Sequence, residues 1–515
     1  MSLNRTAASG LIALLVLAAA GAGRAATPVL PDADTRAWWA ITANLASDAR
    51  EGRDTGSAAY ADAARWTAER FRRAGLKPAG DNGTYLQTVP MHEVEVDPTT
   101  ARVEITAPDG TRRRLGFLQE VDVAASESLP ATLTADMAFR GYCGAADMTG
   151  DLKGKLVVCF GNRHRGAPLG AERIASARKA GAVGVITVDD AAFSLEPPRW
   201  PSAYSRTVTL KTDAAAAPAR PDLVLLRLSD QAFAPLIAGS GQDAAAILKA
   251  GATLKPLPSF DLPDRMELAF QTRARDIASP NVLGLLPGAD PRLAKEVVVV
   301  SAHLDGYGFG SPVAGDNLYN GAFDDAAYVA TVIRLAERRA GKGFRRTVLF
   351  AAFTGEEKGL LGARWFTAHP TVARADLAAD INLDQLRPLF PLKILTQHAI
   401  DLSTLGDTTR RVATQMGIEI RPDLEPERNL LRRADQWPFL EIGVPATAFI
   451  FGFDPGTEAE ARYRTWYQDR YHKPADDLGQ PFDPEAARDF NRFFYRLTAA
   501  VANQTERPRM LKPLP

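Results

Sequence analysis

Short, largely apolar runs punctuate the second half of the chain: Val297 to Ser301, Thr347 to Phe353, Ala379 to Leu383 and Ala446 to Phe451. Apart from Asp380 and Asn382 in the third, they are near-continuously apolar, the pattern of strands buried on both faces. Between them the apolar spacing turns helical, predicting helices over Ala326 to Ala340, Glu356 to Ala368 and Pro484 to about Asn503. Thr35 to Asp48 and Ala58 to Ala74 have helical spacing, and residues 85–120 alternate as strands do. Strands alternating with helices predict an α/β fold: a mostly parallel mixed sheet with helices on both faces.

The texture changes between 128 and 258. Lys155 to Phe160 and Ala182 to Val188 are short buried strands on either side of an Ala-rich helix, Ala171 to Ala180. Strand, helix, strand makes a small α/β module, and no nucleophile or metal site is evident in it. A chain of 515 residues exceeds one ordinary core. The predicted division is 26–127 and 259–515 as the two parts of one main domain, with 128–258 inserted.

Composition narrows the function. There are 61 basic and 61 acidic residues, so a nucleic-acid role, which normally leaves a basic excess, is disfavoured. Residues 1–25 have the makings of a signal peptide: Arg5, an apolar stretch from Leu11 to Ala20, and Gly23-Arg24-Ala25 before the cut. That stretch is short for a membrane span and no later one is long enough, so stable membrane insertion is not expected. The expected destination is the periplasm or the medium. Cys143 and Cys159 could pair there or remain two buried thiols.

Candidate chemistry gathers where the apolar runs end. His303 and Asp305 follow the first run, Glu356 and Glu357 the second, Asp384 the third. In open parallel sheets, ligands bind outside the carboxyl ends of the strands. Asp324, ahead of a helix, and His472, in Tyr471-His472-Lys473-Pro474, complete the set. Each residue alone has a plain structural explanation, such as a helix cap or a hydrogen-bonded core histidine. Three strand exits converging on one edge do not. Imidazole with carboxylate and no thiolate suits zinc, and so many carboxylates suit two ions sharing one of them. Asp305 is placed to hold the second nitrogen of the His303 ring.

These segments resemble the co-catalytic two-zinc aminopeptidases of the zinc exopeptidase (phosphorylase/hydrolase-like) fold, with an inserted protease-associated domain. The segments carrying the resemblance are Glu51-Gly52-Arg53, Gly75 to Gly83, His303-Leu304-Asp305, Tyr319 to Asp324, Gly355 to Gly362, Asn382-Leu383-Asp384 and Tyr471 to Asp476. For the insert they are Asp151 to Lys155 and Gly181 to Ile186. The resemblance implies two zinc ions bridged by Asp324, with His303 and Asp384 on one and Glu357 and His472 on the other. It implies Glu356 as general base toward a zinc-activated water, peptide substrates cut at the N-terminal bond, and a cis bond between Asp324 and Asp325. The chain departs from the family pattern at Phe323, Tyr328 and Gln436. The same fold also serves two other functions, a single-zinc glutaminyl-cyclase-like transferase and a non-catalytic peptidase-fold receptor. The retained ligands and base argue against both.

Overall fold

The computed structural model describes residues 29–164, 166–211, 223–384 and 386–514. The expected signal peptide lies outside them. A ten-stranded sheet forms the frame. Its centre is four parallel strands in the order Ala446–Gly452, Leu377–Asn382, Val297–His303, Thr347–Phe353. The wings are largely antiparallel: Thr272–Leu286, Leu86–Val96 and Arg206–Leu210 on one side, Ile394–His398 and Glu419–Arg421 on the other.

The central strands need no polar alternation because both faces are covered. Val298, Val300, Phe350 and Ile381 face a core built with Trp38, Phe71, Val332 and Phe490. Those four come from the helices Ala33–Leu45, Ala58–Arg73, Ala327–Arg339 and Pro484–Asn503. Val297, Val299, Leu349 and Ala351 point the other way, onto Phe366 and Phe439 of Leu361–Ala368 and Gln436–Glu441. The indole nitrogen of Trp38 donates to the carbonyl of Ala327 (2.7 Å), tying the first helix to the helix behind Asp324.

A second sheet of eight strands has its own apolar core. Thr132–Arg140, Leu156–Gly161, Gly184–Asp189 and Val224–Leu228 run parallel within it. It extends beyond 128–258 on both sides, taking in Arg102–Thr106, Arg112–Arg114, Val121–Val123 and Ser259–Ala269. Conversely, Arg206–Leu210, from within that range, pairs with Leu86–Val96 as an edge of the main sheet. Cys143 and Cys159 are disulfide-bonded. Among the described residues no helix is long and apolar enough to cross a membrane.

One predicted element differs at the site. The helix expected from Glu356 begins only at Leu361. Gly355, Gly359 and Leu360 all take positive φ, which a right-handed helix does not admit. Glu356 and Glu357 therefore sit in a tight turn between strand and helix.

Candidate metal centre

Three neighbouring parallel strands end on one edge of the main sheet and deliver His303, the Glu356–Glu357 turn and Asp384. His303 is the last residue of its strand rather than the residue beyond it. Asp324 arrives from the turn Ala322–Ala326, which follows a hairpin of Gly308–Val313 and Asp316–Tyr319. Asp476 fixes that turn, accepting from the main-chain nitrogens of Ala322 and Phe323, 3.0 Å each. The Asp324–Asp325 peptide bond is cis. His472 follows the helix Glu458–Asp469 and has φ 55°.

These residues meet as three overlapping triads, one of them His303, Glu356 and Glu357. His303, Asp324 and Asp384 can each offer a ligand atom within 4.8 Å of the others, and so can Asp324, Glu357 and His472. Asp324 belongs to both of the latter. Its Oδ1 lies 3.3 Å from His303 Nε2, its Oδ2 3.2 Å from His472 Nε2, and Glu357 Oε2 is also 3.2 Å from His472 Nε2. Glu356 flanks the His303–Asp324–Asp384 triad, 4.0 Å from His303 Nε2. A narrow cleft lined by Tyr307, Tyr319, Asp324, Glu357 and His472 reaches the Asp324–Glu357–His472 triad.

Asp305 acts differently from expectation. Its main-chain carbonyl, not its carboxylate, lies closest to His303 Nδ1, at 3.1 Å against 3.8 Å. The carboxylate instead accepts from the main-chain nitrogens of Glu356 (3.1 Å) and Glu357 (3.4 Å) and from the Thr55 hydroxyl (3.0 Å). The turn carrying the two glutamates has no helical partners for those N–H groups, and Asp305 supplies one.

Several contributors were not legible as site residues. Asp325 accepts from the main-chain nitrogen of His303 (3.0 Å). The Tyr307 hydroxyl lies 2.8 Å from His472 Nδ1. Arg387 is fully buried, 3.4 Å from Asp324 Oδ2, with its guanidinium 4.6 Å from the Trp466 ring. Asp325 adjoins a predicted ligand and Arg387 follows Asp384 by three residues, but only the fold reveals their contacts. Of the three departures, Phe323 packs on Trp39 and Phe482, and Tyr328 on Phe490. The Gln436 amide nitrogen donates to the Leu431 carbonyl (2.8 Å).

The electrostatics call for a cation. Burial pushes the carboxyls of Asp325, Glu356, Glu357 and Asp435 well above the usual range. Burial opposes ionisation of Asp324 too, but Arg387, His303 and His472 hold it well below that range. Burial, reinforced by Arg199, lowers His472 to about 4, leaving the neutral imidazole a metal needs. His303 Nε2, Asp324 Oδ2 and Glu357 Oε1 are buried without a hydrogen-bond partner, although buried polar atoms are nearly always paired. Orphaned nitrogen and oxygen ligand atoms turned toward one another fit zinc.

Residues 281–498 match peptidase family M28, and residues 123–216 match the PA domain. A 66-residue stretch is 46% identical to a probable zinc metalloprotease of Pyrenophora tritici-repentis (strain Pt-1C-BFP), covering 13% of this chain and 15% of that protein. A probable zinc metalloprotease of Pyrenophora teres f. teres (strain 0-1) matches to the same identity over 14% of its length. The chain thus spans only about a seventh of these curated relatives. The fold is shared far more widely. An aminopeptidase from Aneurinibacillus sp. strain AM-1 superposes with a TM-score of 0.61 at 18% identity, covering 93% of this chain and 96% of that one. BSAP, a zinc aminopeptidase from Bacillus subtilis, gives 0.57 at 18%, covering 93% and 97%. A peptidase M28 precursor from Shewanella amazonensis SB2B gives 0.52 at 17%, covering 94% and 99%.

Proposed function

We propose that this chain, in which residues 281–498 are a peptidase family M28 region and residues 123–216 a PA domain, is a zinc aminopeptidase. It would hydrolyse the bond behind the N-terminal residue of a peptide. The observation that carries this reading is the pair of triads sharing Asp324. His303 and Asp384 would hold one zinc with Asp324, and Glu357 and His472 the other. When bound, such a pair supplies Lewis acidity that eases deprotonation of a water and polarises the scissile carbonyl.

The chain's own residues provide the proton traffic. Glu356 lies within reach of His303 and Glu357, on a turn fixed by Asp305. Burial raises its affinity for a proton, which suits a base that accepts one from the attacking water and returns it to the leaving amine. Asp325 fixes the main chain of His303, and Arg53 donates to the carbonyls of Leu304 and Gly321, close to two ligands. Export is part of the same proposal: the leader-like residues 1–25 and the Cys143–Cys159 bond both suit an oxidising compartment.

Paired chromogenic substrates test the reading, one with a free α-amine and one acetylated there. A zinc-loaded aminopeptidase cleaves the first and spares the second. Equal cleavage of both would point to an endopeptidase, and cleavage of neither by protein holding two zincs would point to a binding protein.

A further inference from the structure

The inserted module reaches the metal centre through one short segment. Residues 196–204 leave the second sheet, cross to the catalytic face and return as Arg206–Leu210 at the edge of the main sheet. The segment is anchored on its own side. Arg227 donates to the carbonyl of Arg199 (3.1 Å), the Trp200 indole to Asp189 (2.8 Å), and the Ser202 main-chain nitrogen to the carbonyl of Leu118 (2.8 Å).

From that anchored segment two arms extend toward His472. In the first, Tyr204 stacks on Tyr307 with ring centroids 5.7 Å apart. Lys358, next to Glu357, donates to the Tyr204 hydroxyl and lies 4.9 Å from the Tyr307 ring. The main-chain nitrogen of Ser311 donates to the carbonyl of Ala203 (2.7 Å), holding the hairpin that follows Tyr307. In the second, the Arg199 guanidinium sits 4.7 Å from the Tyr471 ring, which packs against His472 at 3.8 Å. Glu196 accepts from Arg433 (2.5 Å) and Arg199 (3.2 Å), fixing that arm to the catalytic domain.

Nε2 of His472 faces Asp324 and Glu357, and Nδ1 lies 2.8 Å from the Tyr307 hydroxyl; with a zinc on Nε2, Nδ1 would carry the ring proton and donate it to Tyr307. Such a partner fixes the tautomer and the ring plane of a ligating histidine. We propose that the insert is a working part of the metal centre: Tyr204 through Tyr307, and Arg199 through Tyr471, set the orientation of His472. Zinc affinity on the Glu357–His472 side therefore depends on the insert, whereas the His303–Asp384 side does not. This rests on the zinc reading above, with His472 as a ligand.

The test is a zinc titration of the full-length, metal-stripped protein against a chromogenic chelator, alongside thermal melting of the stripped protein. The parent should bind two zincs; if it binds fewer, the two-zinc reading fails before any variant is considered. Tyr307→Phe should weaken one site by about 10–100-fold and leave the other unchanged. Tyr204→Leu and Arg199→Met should weaken the same site by at least about fivefold, a part of that effect, and Tyr204→Phe should restore most of it. Two zincs bound by the parent, with Tyr204→Leu and Arg199→Met within twofold at both sites, would overturn the inference. So would equal weakening of both sites together with a lower melting temperature of the stripped protein, which marks a merely structural role. Should Tyr204→Leu not fold, Arg199→Met decides by the same criteria.

Discussion

Arg53 ties the site together from behind, so its removal gives a sharp prediction. Its side chain is fully buried and donates to four main-chain carbonyls: Leu304 (2.9 Å), Leu45 (2.6 Å), Asn320 (2.8 Å) and Gly321 (2.9 Å). Burial lowers its pKa to about 10, so it remains charged at neutral pH. Arg53→Met removes all four bonds and leaves four buried acceptors. Each unsatisfied group costs about 1–3 kcal/mol, a gross loss of about 4–12 kcal/mol. Relief of the buried guanidinium's desolvation offsets part of that, and breaking a buried charged network typically nets about 3–5 kcal/mol. We therefore expect a loss of about 4 kcal/mol. In urea this is a midpoint shift of more than about 1 M at an m-value of about 3 kcal/mol/M. Zinc affinity should fall in parallel, because Leu304 adjoins His303 and Gly321 lies three residues before Asp324. Arg53→Lys, which cannot donate in all these directions, should recover less than half of the loss. A midpoint within about 0.3 M of the parent, a change of under 1 kcal/mol, would refute the reasoning.

Three further outcomes follow from particular contacts. Glu196 is 3% exposed; burial alone would raise its pKa, but Arg433, Arg199 and Arg428 hold it well below the usual carboxylate range. A depressed folded pKa means stability present above the unfolded value of about 4.3 and lost as pH falls toward the folded one. Acid unfolding of Glu196→Gln should thus be less steep below about pH 4.3, with a deficit of about 3 kcal/mol at pH 7; identical acid curves would contradict this. Cys143 and Cys159 close a loop with a sequence separation of 16, so Cys143→Ser with Cys159→Ser should cost about 3 kcal/mol in denaturant, and an unchanged midpoint would argue against the bond. A methyl group added at Gly362 would press on Asn281 Oδ1 and the Thr354 carbonyl, and lie 2.7 Å from the Thr354 nitrogen. Gly362→Ala should lower the stability by about 1–3 kcal/mol, checked by thermal melting, and a neutral result would mean that the turn relaxes freely.

The sequence made the frame legible because the central strands are apolar on both faces, a local property visible in Val297 to Val300 and Thr347 to Phe353. It also made the ligand candidates legible, since strand exits fall on one edge by topology. What it hid depends on backbone conformation or on distant partners. The left-handed residues Gly355, Gly359 and Leu360 postpone a helix whose apolar spacing starts earlier. The Asp305 carboxylate turns to Glu356 rather than His303 because those N–H groups are left bare by that turn. Tyr307, Arg199 and Arg387 sit in unremarkable local sequence, and their partners lie across the fold. The strands Arg102–Thr106 and Ser259–Ala269 lie far apart in sequence, so their pairing in one sheet leaves no local signature.

Glu356→Gln, assayed after zinc loading on a panel of aminoacyl chromogenic substrates, tests the central claim most directly. The variant keeps the turn's main-chain bonds to Asp305 and removes only the carboxylate proposed to move the proton. We expect it to bind two zincs like the parent and to lose about 10²–10⁴-fold in kcat/KM on every substrate the parent cleaves. Activity within tenfold of the parent, or hydrolysis that survives complete removal of zinc, would contradict the account.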